Sequence, residues 1–433
     1  LTGTSKSVRD AWDKLRKVGA TAKALLLQAA ADKWQVPVSQ CQVDNGVVKC
    51  GDKQATYGEL ASLASTVTLT QEAVPKAAKD YKLIGQRLNR LDTPSKVYGK
   101  AEFGIDVRLP HMLSAGIEMC PVIGGAPASV DDTEARAMPG VKGIYKLPDG
   151  VAVLADDFYQ VSEARKKLKI QWDTSKVFSL PDVAAIRATL EKSANTVSGY
   201  VVKQAGAAPE VNSAPASATR VEYHQPILAH AALEPLNCSV EMRDGVCHVY
   251  GPFQFQQGVS MVAQGVMGLK DSQVHVHTTF LGGGFGRKVE LDFATQAVMI
   301  AKLSGQSIQL VWSREDDMQH DFYRPPSFHR FAAQLDQNGR LEMLSGKMVS
   351  PSVLKHFGEH FIKDGVDWLM NEGMDDFIYD VSNLRLETVM QDVGVRVGFM
   401  RSTSNSLNAF AVESLLDELA LASGQDPLNF RLN

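Results

Sequence analysis

Three glycines, Gly282, Gly283 and Gly284, are followed by Phe285, Gly286, Arg287 and Lys288 in the stretch "QVHVHTTFLGGGFGRKVELDF", residues 273–293. The upstream "VHVHTTF" reads as a strand, and the downstream "VELDFATQAVMIAKLSG" has helical spacing that closes at Gly305. A strand that enters a glycine turn and leaves through a helix N-terminus makes a cradle for anions. Backbone N–H groups point outward, glycines let a ligand come close, and the helix dipole favours negative charge. Arg287 and Lys288 would add full positive charge suited to phosphate or pyrophosphate. Neither common phosphate motif is complete. A Walker loop needs Ser or Thr where Val289 stands, and the dinucleotide fingerprint needs glycine where Arg287 stands. A tight turn with two solvated cations is the alternative.

Other stretches offer competing chemistry. "HFGEH", with His356, Glu359 and His360, matches a zinc-peptidase pattern, His-x-x-Glu-His. Gly358 weakens the helix that this pattern requires, by about 1 kcal/mol relative to Ala. His275 and His277 share a strand face and read as half-buried strand histidines. "SREDDMQHD" reads as a solvated turn with Arg314–Asp pairing rather than a calcium loop. Of five cysteines, none forms Cys-x-x-Cys, which argues against an iron–sulfur cluster held by four thiolates. In "CQVDNGVVKC", a type I′ turn at Asn45-Gly46 would set Cys41 opposite Cys50 at a non-hydrogen-bonded site, suited to a cross-strand disulfide. That bond would imply an oxidising compartment such as a periplasm, with two reduced cysteines as the alternative. Cys238 and Cys247 fail the same test, because a turn at Asp244-Gly245 sets Cys247 opposite Met242.

The chain that must position these residues has 433 residues, 44% hydrophobic and 22% charged, with a net charge of −4. That balance fits several ordinary globular domains and argues against a nucleic-acid partner. Residues 5–34 read as one helix with Thr4, Ser5 and Ser7 as capping candidates, followed by the hairpin and a short helix near 57–64. Residues 1–80 are expected to form one region and 81–175 a small α+β domain. Residues 176–219, rich in Ala, Ser and Pro, read as a linker or crossing segment. Residues 220–433 alternate strands and helices. The fold class is therefore α+β (mixed α/β).

The glycine run, "HAALEPLNCSV", "GPFQFQQG", "VWSREDDMQHDFYRP" and "VRVGFMRSTSNSLNAFAVES" occur together and in order. Jointly they resemble the molybdenum-binding large subunit of the xanthine dehydrogenase and aldehyde oxidase family, in its isoquinoline 1-oxidoreductase β-subunit branch, which includes membrane-associated bacterial aldehyde dehydrogenases. The resemblance implies molybdenum-hydroxylase large-subunit architecture: a small hammerhead-like domain at 81–175 and part of the molybdopterin-binding domains, 220–433 apparently truncated at its end. It implies a molybdopterin cofactor, in its cytosine dinucleotide form, with the metal held by the pterin dithiolene and no side-chain metal ligand. It implies oxidative hydroxylation of an aldehyde or N-heteroaromatic carbon with water as oxygen donor. Electrons would leave through a small 2Fe-2S subunit, with a cytochrome c subunit as a further partner, at the periplasmic face of the inner membrane; the cytoplasm is the alternative.

By resemblance, the Gly283, Gly284, Phe285, Gly286 and Arg287 turn would bind the cofactor, with the peptides of 284–286 contacting a molybdenum oxo ligand. Gln254 in "PFQFQ" would hydrogen-bond an oxo group, and Arg401 in "GFMRS" would serve catalysis by stabilising charge on substrate oxygen. Gly3, Thr4 and Ser5 in "TGTSKS" match a segment near the cofactor phosphates. Departures are present. Val289 replaces the glutamate that binds purines in xanthine enzymes, Arg287 replaces a glycine as in the isoquinoline branch, and Met400 and Asn405 differ from the expected Trp and His. Nothing after Arg401 fits the family's glutamate base, since Glu413 and Glu418 fall in an amphipathic helix. The chain is thus expected to be a fragment that is inactive alone. The alternatives are a metallohydrolase using His356, Glu359 and His360, or a non-catalytic scaffold.

Overall fold

The computed structural model describes residues 1–175, 177 and 181–432. It divides the chain into two compact units, Thr2–Ala101 and Glu102–Asn433.

In the first unit the helix Ser7–Trp34 precedes a three-stranded antiparallel sheet, Cys41–Asp44, Val47–Cys50 and Lys53–Thr56, and the helix Tyr57–Ala64. Asn45 and Gly46 both take positive φ, 47° and 78°, as a type I′ turn requires. The resulting register sets Val43 opposite Val48 and Cys41 opposite Cys50, and the two cysteines are joined in a disulfide with Cα atoms 4.2 Å apart. Small helix residues, Ala30 and Ala31, let this sheet pack closely, with Val48, Ala55 and Leu60 completing the core. Thr56 and Glu59 form a reciprocal capping box at the second helix. The long helix differs from expectation at its start. Thr4 and Ser5 lie outside it with φ of 56° and 52°, Ser7 is already helical, and the N-cap, Lys6, makes no side-chain capping bond.

Mass spectrometry of material from an oxidising compartment should recover Cys41 and Cys50 in one bonded peptide pair. Their replacement by serine is expected to lower the stability of this unit by about 2–3 kcal/mol, read as a shift of its denaturant midpoint. Two free thiols in the native protein would refute the assignment.

The second unit holds two large sheets and a two-stranded one, Ala126–Asp131 with Lys169–Asp173. A mixed seven-stranded sheet runs in the order Val274–Thr278, Val246–Gly251, Asn237–Arg243, Ile308–Val311, Leu113–Met119, Gly150–Ala155 and Val141–Lys146. The helices Gln256–Met267 and Asp292–Ser304 contribute Val259, Ala263, Phe293, Ala297 and Val298 to its core. A five-stranded sheet runs Thr219–Gln225, Ser327–Leu335, Leu341–Ser350, Asn383–Met390 and Tyr200–Ala205. The helix Asn405–Ala422 packs Leu407, Leu415 and Leu419 into one core of this sheet, and the helix Val183–Thr196 packs Ile186 and Leu190 into another.

Two expected boundaries change. Leu113–Met119 pairs in parallel with Ile308–Val311, so strands from 81–175 complete the same sheet as strands from 220–433. The supposed linker carries the helix Val183–Thr196 and the edge strand Tyr200–Ala205, which pairs with Asn383–Met390. Its Ala, Ser and Pro content masked Ile186, Leu190 and Ala194, which are buried at helical spacing.

Candidate functional site

The glycine turn leaves the edge strand Val274–Thr278 but does not lead straight into a helix. A single 3-10 turn, Arg287–Val289, intervenes, and the helix starts at Asp292. Glycine is required here for close approach. A Cβ on Gly284 would stand 2.5 Å from Gln254 Oε1, and one on Gly286, at φ 113°, would stand 1.9 Å from the Phe399 carbonyl oxygen. Gly286 N–H donates to Gln254 Oε1 (3.2 Å), and Gln254 N–H donates to the Lys288 carbonyl (2.9 Å). The turn is thereby held between the Gln254 segment on one side and the Phe399 segment on the other. Phe285 stands exposed at φ 56°, and the guanidinium of exposed Arg401 lies 5.7 Å from its ring centre. The structure thus brings Gln254, the 283–286 turn and Arg401 together.

The two cations behave otherwise than expected. Arg287 is fully buried. Its guanidinium bonds both Asp292 oxygens (2.9 and 2.7 Å), and its Nε pairs with Asp321 Oδ1 (2.7 Å). Burial alone would lower its pKa, but Asp292 and Asp321 more than offset that and raise it. Lys288 is also buried and donates to Glu234 Oε2 (2.7 Å); burial pushes its pKa below the usual lysine range. The Arg287 guanidinium is thus engaged by Asp292 and Asp321 rather than turned toward a cofactor, and neither cation is a solvated charge awaiting phosphate. Both are anchors beneath the turn, and Asp292 occupies the helix start where an anion was expected. Glu234 is the counterpart anchor: it also accepts from Gly282 N–H (2.7 Å), Ile105 N–H (3.2 Å) and Asn237 (3.1 Å).

These buried acids, with His230, escaped the sequence reading. Their signal was present in "HAALEP" and "MQHDFY", which were used as motifs without assigning His230, Glu234 or Asp321 a partner. Buried arginine and lysine require carboxylates, so the turn's own cations pointed to them.

Gly3, Thr4 and Ser5 lie in the other unit, where the Thr4 hydroxyl donates to the Gly3 carbonyl (2.8 Å). "HFGEH" does not form a metal site. Gly358, at φ 142°, separates two 3-10 turns; His356 bonds Glu290 (3.1 and 3.2 Å), Glu359 is exposed, and His360 rests on Phe361. Among the described residues no cluster of three or more His, Cys, Asp or Glu is arranged to hold a metal. His277 lies 3.0 Å from His248 across the strands and stacks on Tyr250. "SREDD" forms a capped helical turn with the expected Arg314–Asp317 pair (2.6 Å), but Asp316 and Asp317 are buried rather than solvated. Glu413 is engaged by Tyr379 and Arg431, and Glu418 by Tyr223, so both are structural.

The fold and this turn make a candidate cofactor cradle. The family described as "Molybdopterin cofactor-binding domain" matches residues 191–433. The chain belongs to this family. It is 29% identical to isoquinoline 1-oxidoreductase subunit beta of Brevundimonas diminuta, over 100% of this chain and 61% of that protein. It is 29% identical to the membrane-bound aldehyde dehydrogenase [pyrroloquinoline-quinone] of Gluconacetobacter polyoxogenes, over 100% of this chain and 59% of that protein. Quinoline 2-oxidoreductase from Pseudomonas putida 86 shares the fold, with a TM-score of 0.63 and 17% identity over 81% of this chain and 50% of that one. The chain therefore spans about three fifths of the length of these curated relatives.

The residues present fit the cofactor. The N–H groups of Gly283, Gly284 and Phe285 take no acceptor among the described residues, although Gly284 is buried. They leave a run of donors beside Gln254, suited to the oxygen atoms of an anionic group.

Proposed function

We propose that the chain is the catalytic-subunit portion of a molybdenum hydroxylase acting on an aldehyde or N-heteroaromatic carbon, with water as oxygen donor. The observation that carries the reading is the convergence of Gln254, the unpaired peptide N–H groups of the 283–285 run and Arg401 on one turn. Bound molybdopterin supplies the two-electron redox chemistry. The glycine turn and Gln254 would hold its oxygen ligands, and the buried pairs beneath keep that turn from moving. Arg401, carried on a turn with Ser402 and Thr403 at positive φ, offers a fixed cation to negative charge developing on substrate oxygen. Phe285 presents an apolar face beside it.

Electrons pass to a separate 2Fe-2S subunit, with a cytochrome c subunit as a further acceptor, and the cofactor is the cytosine dinucleotide form. The disulfide supports a periplasmic location; among the described residues no helix is long and apolar enough to cross a membrane.

Elemental and cofactor analysis of the full-length complex should find stoichiometric molybdenum with a pterin dinucleotide. Active enzyme without molybdenum, or with a quinone cofactor instead, ends the proposal. Stoichiometric zinc would revive the hydrolase reading, and cofactor-free protein the scaffold reading.

A further inference from the structure

His230 is buried directly behind the site, and both its ring nitrogens face oxygen. Nδ1 lies 2.9 and 3.1 Å from the two Asp321 oxygens, and Nε2 lies 2.6 Å from the Phe399 carbonyl oxygen. A peptide carbonyl has no proton to give. Asp321 has none either, because its oxygens also accept from Phe322 N–H (2.8 Å) and His230 N–H (2.6 Å), and one of them is ion-paired with Arg287, whose Nε lies 2.7 Å away. Burial would raise the Asp321 pKa, but His230 and Arg287 hold it below the usual carboxylate range, which supports the ionised form. A neutral imidazole donates from one nitrogen and would turn a lone pair toward one of these oxygens; both bonds are satisfied when both nitrogens carry hydrogen.

The Phe399 carbonyl is also the atom against which Gly286 packs, and Arg401 follows it by two residues. We propose that His230 is a positioning residue, an imidazolium that clamps the Phe399–Arg401 segment onto the glycine turn by bridging Asp321 to the Phe399 carbonyl. The proposal rests on the reading of Gln254, the turn and Arg401 as the site. His230 touches neither substrate nor cofactor and acts through Phe399.

The charged groups around His230 come from every element packed on it. Asp321 and Arg287 are in the chain of pairs just described. Asp317 and Arg314 come from the helix Arg314–Gln319, and Arg314 also donates to the Ala232 carbonyl (2.6 Å). Arg396 precedes the clamped segment and donates to the His320 carbonyl. Burial raises the Asp317 pKa, and Asp321 adds to that, while Arg287, Arg314 and His230 act to lower it.

The test uses the full-length holoenzyme with its partner subunits. Neutron diffraction of deuterium-exchanged crystals near neutral pH should show deuterium on both His230 ring nitrogens; density on one alone overturns the proposal. His230→Gln should keep a donor within reach of the Phe399 carbonyl. It should retain molybdenum and hold kcat within about tenfold of the native value. His230→Ala should retain molybdenum and lose about 10²-fold in kcat, as expected for misplacement of Arg401 by about 1 Å. A Gln variant that loses as much kcat as the Ala variant, or an Ala variant with native kcat, overturns the clamp. If the native complex shows no hydroxylase turnover, the functional reading fails, and the neutron result still decides the protonation of His230.

Discussion

Replacing Arg401 with alanine is expected to lower turnover about 10²–10³-fold, the typical effect of removing one preorganised charge donor from a site. The exposed guanidinium lies over Phe285 and makes no ion pair that the fold depends on among the described residues. Stability and molybdenum content should therefore be unchanged, and the loss should fall on kcat rather than on cofactor retention. Arg401→Lys should recover part of the rate, because it restores charge without the planar fork. Steady-state kinetics alongside metal analysis separates the cases. Native turnover in the alanine variant removes Arg401 from the site. Loss of molybdenum in parallel with activity would make it a cofactor anchor instead.

The largest structural effect is expected at Arg287. Arg287→Ala leaves Asp292 and Asp321 facing each other without the cation they share, in a place where Arg287 itself has no solvent exposure. Breaking a buried pair by removing one partner costs about 3–5 kcal/mol, so the denaturant midpoint of the full-length protein should fall accordingly. Arg287→Lys should be nearly as damaging, because an ammonium cannot reproduce the two parallel bonds to Asp292. A variant of native stability that binds the pterin dinucleotide poorly would reverse the assignment and return Arg287 to the phosphate-binding role that its sequence position suggests.

That reversal of role marks where the sequence was legible. The hairpin could be read residue by residue, because a two-residue turn sets register by counting and the cysteine pairing follows. The helices closing at Gly305 and near Gly424 were equally plain, since each combines apolar spacing with a glycine stop. Gln254, the glycine turn and Arg401 lie far apart in sequence and meet through long-range packing, so their convergence rested on resemblance. Arg287 and Lys288 were misread because charge next to glycine looks the same whether it faces solvent or core. What decides is a partner elsewhere in the chain, here Glu234 and Asp321, and no local pattern names it. The segment 176–219 was missed for a related reason. Its strand gains pairing partners from residues 383–390, and its helix is covered by Phe328 and Val349.

The seven-stranded sheet also governs how the protein is made. Leu113–Met119 has Gly150–Ala155 as a neighbour early, but its other edge is filled by Ile308–Val311. During synthesis this apolar strand therefore waits with one row of N–H and C=O groups unpaired while the intervening chain emerges. Closing so long a loop is entropically slow, and an open apolar edge invites pairing with other chains. The glycine turn and Gln254 lie within that intervening chain, so the cradle cannot become rigid until the ribosome has passed Val311. Rigidity of the cradle is in this sense a late event, coupled to completion of the sheet rather than to appearance of its residues.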